Sequence, residues 1–376
     1  MEKERTPEFV IQWTKFTTGI LFTWPPSLNT TRQIKITLKI CWWISLIVAV
    51  TNAIPMLTTA YKYRTNFMKF TESLYAALCF IQVVSAMIIA KFHNHRFQCL
   101  IEEVKTFVNN ANPHEREVLM NYVKRVTPSY FRYNMLGVGT ILAYVIGLFI
   151  LDHPLPNIVE FPFSVYDHPV YYMVLIMEIL GGGQCACTGA FICQLCLLIW
   201  YGTIQLTFLA EKVEDVTCLQ ELAECISIHQ HILWYIKETM IIVRHMVACI
   251  IVLTTLSIAC GGIHIVRNET LFSKVQTISI LIAYALELLC IAWAAENLTT
   301  ISARIGFALY NSLLMPNSKA WSKDAIFMMQ RCLNPPKIKI AGLMSNLSME
   351  YYAKYMSAVY SFFTTLRILL KKFEDN

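Results

Sequence analysis

Long apolar stretches recur along the chain, and seven of them are long enough to cross a membrane. A hydrocarbon core of ~30 Å requires ~20 mostly apolar residues in a helix. The qualifying segments are 38–60, 72–91, 132–151, 169–201, 239–266, 275–300 and 349–370. The fourth is too long for one crossing, so we expect it to bend at its run of three glycines, 181–183, and to continue beyond the bilayer. The pattern predicts an all-α integral membrane protein with seven transmembrane helices.

The last apolar segment differs from the others because one of its faces is polar. Steps of three and four residues connect a small and polar stripe, which consists of Lys354, Ser357, Ala358, Ser361, Thr364 and Thr365. The opposite face carries Tyr352, Met356, Val359, Phe363, Leu366 and Leu370. A hydroxyl-rich face in a membrane needs a neighbour other than lipid. Either other helices pack there through small residues, or water lines it.

Composition agrees with a membrane protein. Hydrophobic residues make up 56% of the 376 residues, charged residues only 15%, and the mean hydropathy is +0.48. The net charge of +6 therefore carries information about topology, and no basic run with interleaved aromatic residues indicates a nucleic-acid partner. The N-terminus contains no apolar core of the signal-peptide type, so the first span is expected to act as a retained anchor.

The distribution of lysine and arginine predicts the orientation. Basic residues concentrate in segments 1–37, 92–131, 202–238 and 301–348, which places these segments in the cytoplasm. The N-terminus is then cytoplasmic and the C-terminus extracellular. Of the four Asn-x-Ser/Thr sites, only the one at Asn268 falls in an outer loop, so Asn268 is the expected glycosylation site.

The predicted cytoplasmic segments also show helical periodicity, as in Ile101, Val104 and Val108. We expect helical extensions of the spans to pack together there as an anchor region. No internal repeat or low-complexity linker divides the chain, which predicts a single domain over 1–376. Within that domain, 1–37 is a cytoplasmic N-terminal segment and 301–348 is a cytoplasmic helix that leads to the last span, 349–370.

Few residues suggest chemistry inside the spans. Glu178 and Glu287 indicate either a water-accessible cavity or a structural hydrogen-bond network, because a charge in a membrane needs a partner or water. The four cysteines between 185 and 196 do not converge on one point of a helix, so small packing residues explain them better than metal binding does. We find no nucleophile–base pair, phosphate loop or metal motif. The sequence does not predict an enzyme, a cofactor or a metal.

A small apolar ligand would fit between the outer halves of spans two, three, four and six. These halves combine apolar walls with a few hydroxyls and a sulfur, although ordinary packing in a membrane gives the same composition. The candidate ligand-binding residues are Tyr75, Leu78, Cys79, Gln82, Ala143, Tyr144, Gly147, Met177, Leu180, Ile280 and Tyr284.

The C-terminal run resembles the signature of insect odorant receptors. The matching pieces are a Pro-x-x-x-x-Ala-Gly motif that begins at Pro336, the pair Leu347 and Ser348, and the run from Tyr360 to Arg367. The pair Trp24 and Pro25 before the first span is similar to the family's N-terminal turn. The style of the C-terminal motif resembles that of hymenopteran members.

This resemblance implies an odorant-gated, non-selective cation channel in the plasma membrane of sensory-neuron dendrites. In such a channel a tuning subunit assembles with co-receptor subunits into a tetramer within membrane lipid. The seventh helix of each subunit lines a central pore, and volatile odorants bind in the outer half of the bundle. The region between spans four and five is short here, which resembles a tuning subunit and not the co-receptor.

The resemblance also implies which residues form the pore. It places the gate at Thr365 and Leu369, with Ile368 beside it and Ser361 one turn before. Two other interpretations remain open on the sequence alone. One is a gustatory-type channel that works without the co-receptor. The other is a G-protein-coupled receptor, which has the opposite orientation, or a transporter, which is expected to show internal symmetry.

Overall fold

The computed structural model describes residues 6–27, 30–150, 159–161, 163–165, 167–266, 271–313, 322–340, 342 and 344–374. Within these ranges the protein is helical, and the only β-type pairing is an isolated bridge between Ile340 and Met344. The described helices are α1 (Pro7–Thr17), α2 (Arg32–Lys62), α3 (Phe67–Phe92), α4 (Asn94–Asn110), α5 (Pro113–Ile150), α6 (Val170–Glu214), α7 (Leu219–Val266), α8 (Leu271–Leu313), α9 (Ser322–Cys332) and α10 (Met349–Glu374). A 3₁₀ turn, Gly19–Leu21, lies between α1 and α2.

Five helices (α2, α3, α6, α7 and α8) are long and apolar enough to cross a membrane. Helices α5 and α10, with 38 and 26 residues, are also long enough. The second half of α5, residues 133–150, is apolar over a membrane length, whereas the polar stripe of α10 lowers the average apolarity of that helix. The described part of each of the seven predicted spans lies within a single one of these helices. The one exception is residue 169, which directly precedes α6. The chain is therefore an all-α, multi-pass membrane protein.

Helix α6 continues without interruption through the glycine run at which the sequence predicts a bend. At ~1.5 Å per residue its 45 residues extend ~68 Å, about twice the thickness of a bilayer core. The glycines allow neighbouring helices to approach closely. A Cβ atom at Gly181 would lie 2.7 Å from both the Asn52 amide nitrogen and the Phe80 ring, whereas a Cβ at Gly183 would meet nothing within 4 Å.

The core is organised around α6. Nearly every side chain from Thr188 to Ile204 is buried, which is the pattern of a helix surrounded by protein on all sides. Cys193 and Cys196 belong to this buried stretch, and the Asn134 amide lies 3.8 Å from the Cys193 sulfur. These two cysteines act as small apolar packing residues, as the sequence indicated.

The helices extend together beyond the membrane-length segments at one end of the bundle. Here α4, the second half of α6 and the first half of α7 pack with α1 and α9. Ion pairs connect these elements and the start of α5: Arg116 of α5 with Glu8 at 2.8 Å, Lys212 with Glu224 at 2.7 Å, and Arg96 with Glu238. Ile101, Val104 and Val108 are buried, so the predicted helical periodicity of this region is confirmed.

Candidate functional site

Helix α10 lies on the outside of the bundle and presents two different faces. Tyr352, Met356, Val359, Phe363 and Leu366 are half-buried against the protein. The small and polar stripe on the opposite side, which includes Ser357, Ser361, Thr364 and Thr365, is exposed in the single chain. The two faces expected from the sequence are therefore confirmed by burial.

Three contacts fix α10 against α7 and α8. The ring of Phe363 packs so closely on Gly262 of α7 that a Cβ at this glycine would lie 2.7 Å from the ring. The hydroxyls of Tyr355 and Thr255 are 3.1 Å apart. At the start of α10, the backbone N–H of Met349 donates to the Glu296 carboxylate at 3.4 Å. The helix is thus held by one face only.

The residues expected to form the gate occupy the free side of α10. Ser361, Thr365 and Ile368 are exposed, and the Thr365 hydroxyl donates to the Ser361 carbonyl at 2.9 Å. The side chain of Leu369 lies outside the described part of the structure. Because the Thr365 hydroxyl is satisfied by its own helix, it can face either water or a neighbouring helix without a further partner.

Four of the candidate ligand-binding residues come together between α3 and α8. Tyr75, Cys79 and Gln82 follow one another on one face of α3, and Tyr284 of α8 lies opposite them. The Tyr284 hydroxyl donates to the Cys79 sulfur at 3.1 Å, although the two residues are 205 positions apart in the chain. Leu78 is also buried on α3.

A buried carboxyl group closes this site on the side of Gln82. Glu287 is only 3% exposed; it accepts a hydrogen bond from the Gln82 amide at 2.6 Å and another from the Tyr133 hydroxyl of α5 at 3.0 Å. The sequence indicated Glu287 and Gln82 separately, but gave no signal for Tyr133. Two buried polar atoms in the same region, the Tyr75 hydroxyl and the Gln82 carbonyl oxygen, have no hydrogen-bond partner within the described chain.

The remaining ligand candidates do not all converge on this site. Leu180 is 49% exposed, and Met177, Ala143 and Ile280 are half-buried. The buried residues of this part of α6 include Glu178 and Gly181, which each lie one position after a residue of the predicted pair. The side chain of Tyr144, the surroundings of Gly147 and the expected glycosylation site Asn268 lie outside what the structure describes.

Two consecutive glycines of α7 connect the α3–α8 site with α10. A Cβ at Gly261 would lie 3.3 Å from the Tyr75 ring and from Thr277 of α8. A Cβ at Gly262 would meet Phe363 of α10. The backbone of α7 is therefore packed between the candidate ligand-binding residues on one side and the candidate pore helix on the other.

Comparison with known proteins places this geometry in a family. The family profile described as 7tm Odorant receptor matches residues 66–360. Odorant receptor Or2 of Anopheles gambiae is 25% identical over 153 residues, a match that spans 40% of this chain and 40% of that relative.

Solved structures show the same fold. The olfactory receptor OR5 of Machilis hrabei superposes with a TM-score of 0.83 at 13% identity, over 94% of this chain and 97% of that one. The same receptor in complex with eugenol gives a TM-score of 0.80 at 13% identity, over 96% and 98% of the two chains. The family match covers most of the chain and the fold match nearly all of it, and the chain accordingly belongs to the seven-transmembrane odorant receptor family.

Proposed function

We propose that this chain is the odorant-binding subunit of a ligand-gated, non-selective cation channel in which α10 lines the pore. The observation that carries the proposal is the exposed hydroxyl stripe of α10, opposite the face that packs on α7 and α8. A polar stripe on a membrane-length helix needs water or protein against it. A central pore that is lined by the same helix of several subunits supplies both.

The ligand site that we propose lies between α3 and α8, around Tyr75, Cys79, Gln82 and Tyr284. Its side chains combine aromatic and aliphatic surface with few polar atoms, as small-molecule sites do. The solved relative with eugenol carries a small aromatic ligand within the same overall fold. We therefore propose volatile, largely apolar molecules as the ligands of this chain.

The unpartnered atoms in this site favour odorants with a hydrogen-bonding group. The Tyr75 hydroxyl and the Gln82 carbonyl oxygen are buried without partners in the described chain. Leaving such a group unsatisfied costs about 1–3 kcal/mol. A ligand hydroxyl that reaches either atom would recover part of this energy, so an alcohol or phenol should bind more tightly than the hydrocarbon of the same shape.

Gating is proposed to occur by population shift. A ligand that displaces the Tyr75 ring pushes on Gly261, and the adjacent Gly262 transmits the displacement to Phe363 of α10. Both contacts are too close for an extra methyl group to enter without movement, so α7 cannot absorb the displacement by local compression. Odorant binding opens the channel only to the extent that the ligand prefers the open conformation.

The channel is proposed to be a tetramer with co-receptor subunits in the plasma membrane of sensory-neuron dendrites, with the N-terminus cytoplasmic. Large apolar side chains near α9 support a subunit interface at that end of the bundle. Phe307, Phe327 and Leu333 are 72%, 71% and 80% exposed. All three lie outside the predicted spans, where lipid would not cover them. Apolar surface of this kind is commonly covered by a partner protein.

Current recording from cells that express the chain with and without an insect co-receptor, during application of a volatile panel, tests the proposal. We expect odorant-evoked cation current only when both are present. Current from the chain alone would replace the tuning-subunit assignment with a self-sufficient channel. Silence with verified surface expression, over a panel that includes phenols and alcohols, would contradict the proposed function.

A pair of tyrosine variants then tests the position of the ligand site. Tyr284→Ala removes a buried ring from the proposed site and should raise the odorant concentration that gives half-maximal current. Tyr172→Ala removes a ring that is 55% exposed on α6 and should leave that concentration unchanged. Identical dose–response curves for Tyr284→Ala and the unmodified chain would remove Tyr284 from the site.

A further inference from the structure

A cavity lies at the end of the bundle that contains α4, and the proposed odorant site does not include it. It has a volume of about 700 Å³ and is formed between α4, α6 and α7. Glu103 and Phe107 of α4, Tyr201 and Gln205 of α6, and His231 and Tyr235 of α7 are among the residues that line it. We call this cavity the α4 groove. Its volume is within the range of ~300–1,000 Å³ that is typical of small-molecule sites.

The α4 groove contains one carboxylate with capacity for a cation. The Glu103 side chain is 26% exposed, and its nearest ion-pair partner is His231, whose Nδ1 lies 3.9 Å from Oε1. This distance is too long for a hydrogen bond. Burial raises the pKa of Glu103, while His231 and a hydrogen bond from Tyr201 lower it. Most acceptor positions of the carboxylate remain available to a ligand.

Aromatic rings lie in the same groove as this carboxylate. Phe107 and Tyr201 meet edge to face with ring centroids 5.7 Å apart, and Tyr201 and Tyr235 do so at 4.8 Å. All three rings line the groove. Aromatic rings attract organic cations through the negative charge density on their faces, and they also pack against a ligand ring.

The groove also offers an unused hydrogen-bond donor. The side-chain amide nitrogen of Gln205 is buried, and it has no hydrogen-bond partner within the described chain. A buried donor of this kind is normally satisfied by an acceptor from protein, water or ligand. Together with Glu103 and the rings, it defines three chemical features that one ligand can satisfy.

We propose that the α4 groove binds a small aromatic amine. The ammonium group would donate to the Glu103 carboxylate, the aromatic ring would pack against Tyr201 and Tyr235, and a hydroxyl on the ring would accept from Gln205. The groove residues belong to α4, α6 and α7, whereas the proposed odorant site is formed by α3 and α8. The amine is therefore a second ligand of the chain, bound at a site separate from that of the odorant.

Calorimetric titration of the purified full-length chain in detergent tests this proposal, with tyramine as the probe. Tyramine carries all three features, and 4-ethylphenol has the same ring and hydroxyl without the ammonium group. We expect saturable binding of tyramine that becomes roughly tenfold to a hundredfold weaker in Glu103→Gln, because a hydrogen bond to a charged group is lost. Gln205→Leu should weaken tyramine binding by a smaller factor.

A matched control separates local chemistry from misfolding. Glu102 is adjacent on α4, pairs with Lys105 at 3.4 Å and is not among the residues that line the groove, so Glu102→Gln should leave tyramine binding unchanged. Thermal unfolding of each variant establishes that it is folded. Any binding of 4-ethylphenol should be insensitive to Glu103→Gln. Absence of saturable tyramine binding to the folded chain, or equal affinity in Glu103→Gln, would overturn the proposal.

Discussion

The contact between Gly262 and Phe363 predicts that one substitution has opposite effects on stability in two backgrounds. In Gly262→Ala the new Cβ atom would lie 2.7 Å from the Phe363 ring, whereas ordinary contacts of Cβ atoms are 3.4–4 Å. The ring or helix α10 must therefore move by more than half an ångström. Because Phe363 is one of the residues that hold α10 against the bundle, the substitution acts directly on the docking of that helix.

The expected magnitude combines two opposing terms. Overpacking of a closely packed contact costs about 1–3 kcal/mol. Replacement of glycine by alanine inside a helix is favourable by about 1 kcal/mol. Gly262→Ala alone should thus be neutral or destabilising by up to about 2 kcal/mol. In a chain that already carries Phe363→Leu, the steric term is relieved and the same substitution should stabilise by about 1 kcal/mol.

The measurement is the free energy of unfolding by SDS in mixed micelles, for the four chains of the double-mutant cycle. Gly183→Ala supplies the control, because a Cβ at that position would meet nothing within 4 Å and only the helix term applies. It should stabilise equally with Phe363 or leucine at position 363. A Gly262→Ala effect that is the same in both backgrounds would show that Phe363 does not press on α7.

Four further predictions follow from other contacts. Gly181→Ala should destabilise the chain by up to about 2 kcal/mol in the same SDS assay, whereas Gly183→Ala should stabilise it, because Asn52 and Phe80 occupy the space of the new methyl group at Gly181. Tyr133→Phe should cost about 1.5–3 kcal/mol of unfolding free energy, since the buried Glu287 loses a donor. An unchanged unfolding free energy would show that this hydrogen bond contributes little to stability. Thr365→Val should alter gating or ion selectivity in patch-clamp recordings without changing the order of odorant potencies; a changed order with an intact pore would contradict this. Tyramine binding to the α4 groove should weaken as the pH falls through the raised pKa of Glu103, because protonation removes the anion, and this dependence should be smaller in Glu103→Gln.

The sequence by itself determined the features that depend on contrast between polar and apolar positions. In α10, polar and small residues recur every three to four positions within a membrane-length segment, so the pattern alone predicts which face packs and which face stays free. The same contrast predicted the helical anchor segments through Ile101, Val104 and Val108. Together with length and apolarity, this pattern predicted seven spans, and the described part of each falls in one helix.

Only the tertiary structure decided which faces of the other spans meet one another. Hydrophobic patterning cannot distinguish a lipid-facing side chain from a protein-facing one, because lipid tails are as apolar as leucine. This is why Leu180 was expected in the ligand site although it is half exposed, while Gly181, one position later, makes the close contact. On a helix a single position changes the direction of a side chain by about 100°.

Hydrogen-bond partners inside the bundle depend on the same information. Glu287 was recognisable as a buried charge, but its partners Gln82 and Tyr133 lie 205 and 154 positions away in the chain. Nothing local pairs them, because their proximity follows from how α3, α5 and α8 pack. The α4 groove is likewise lined by residues of three helices, α4, α6 and α7, so it follows from helix placement and not from any one helix.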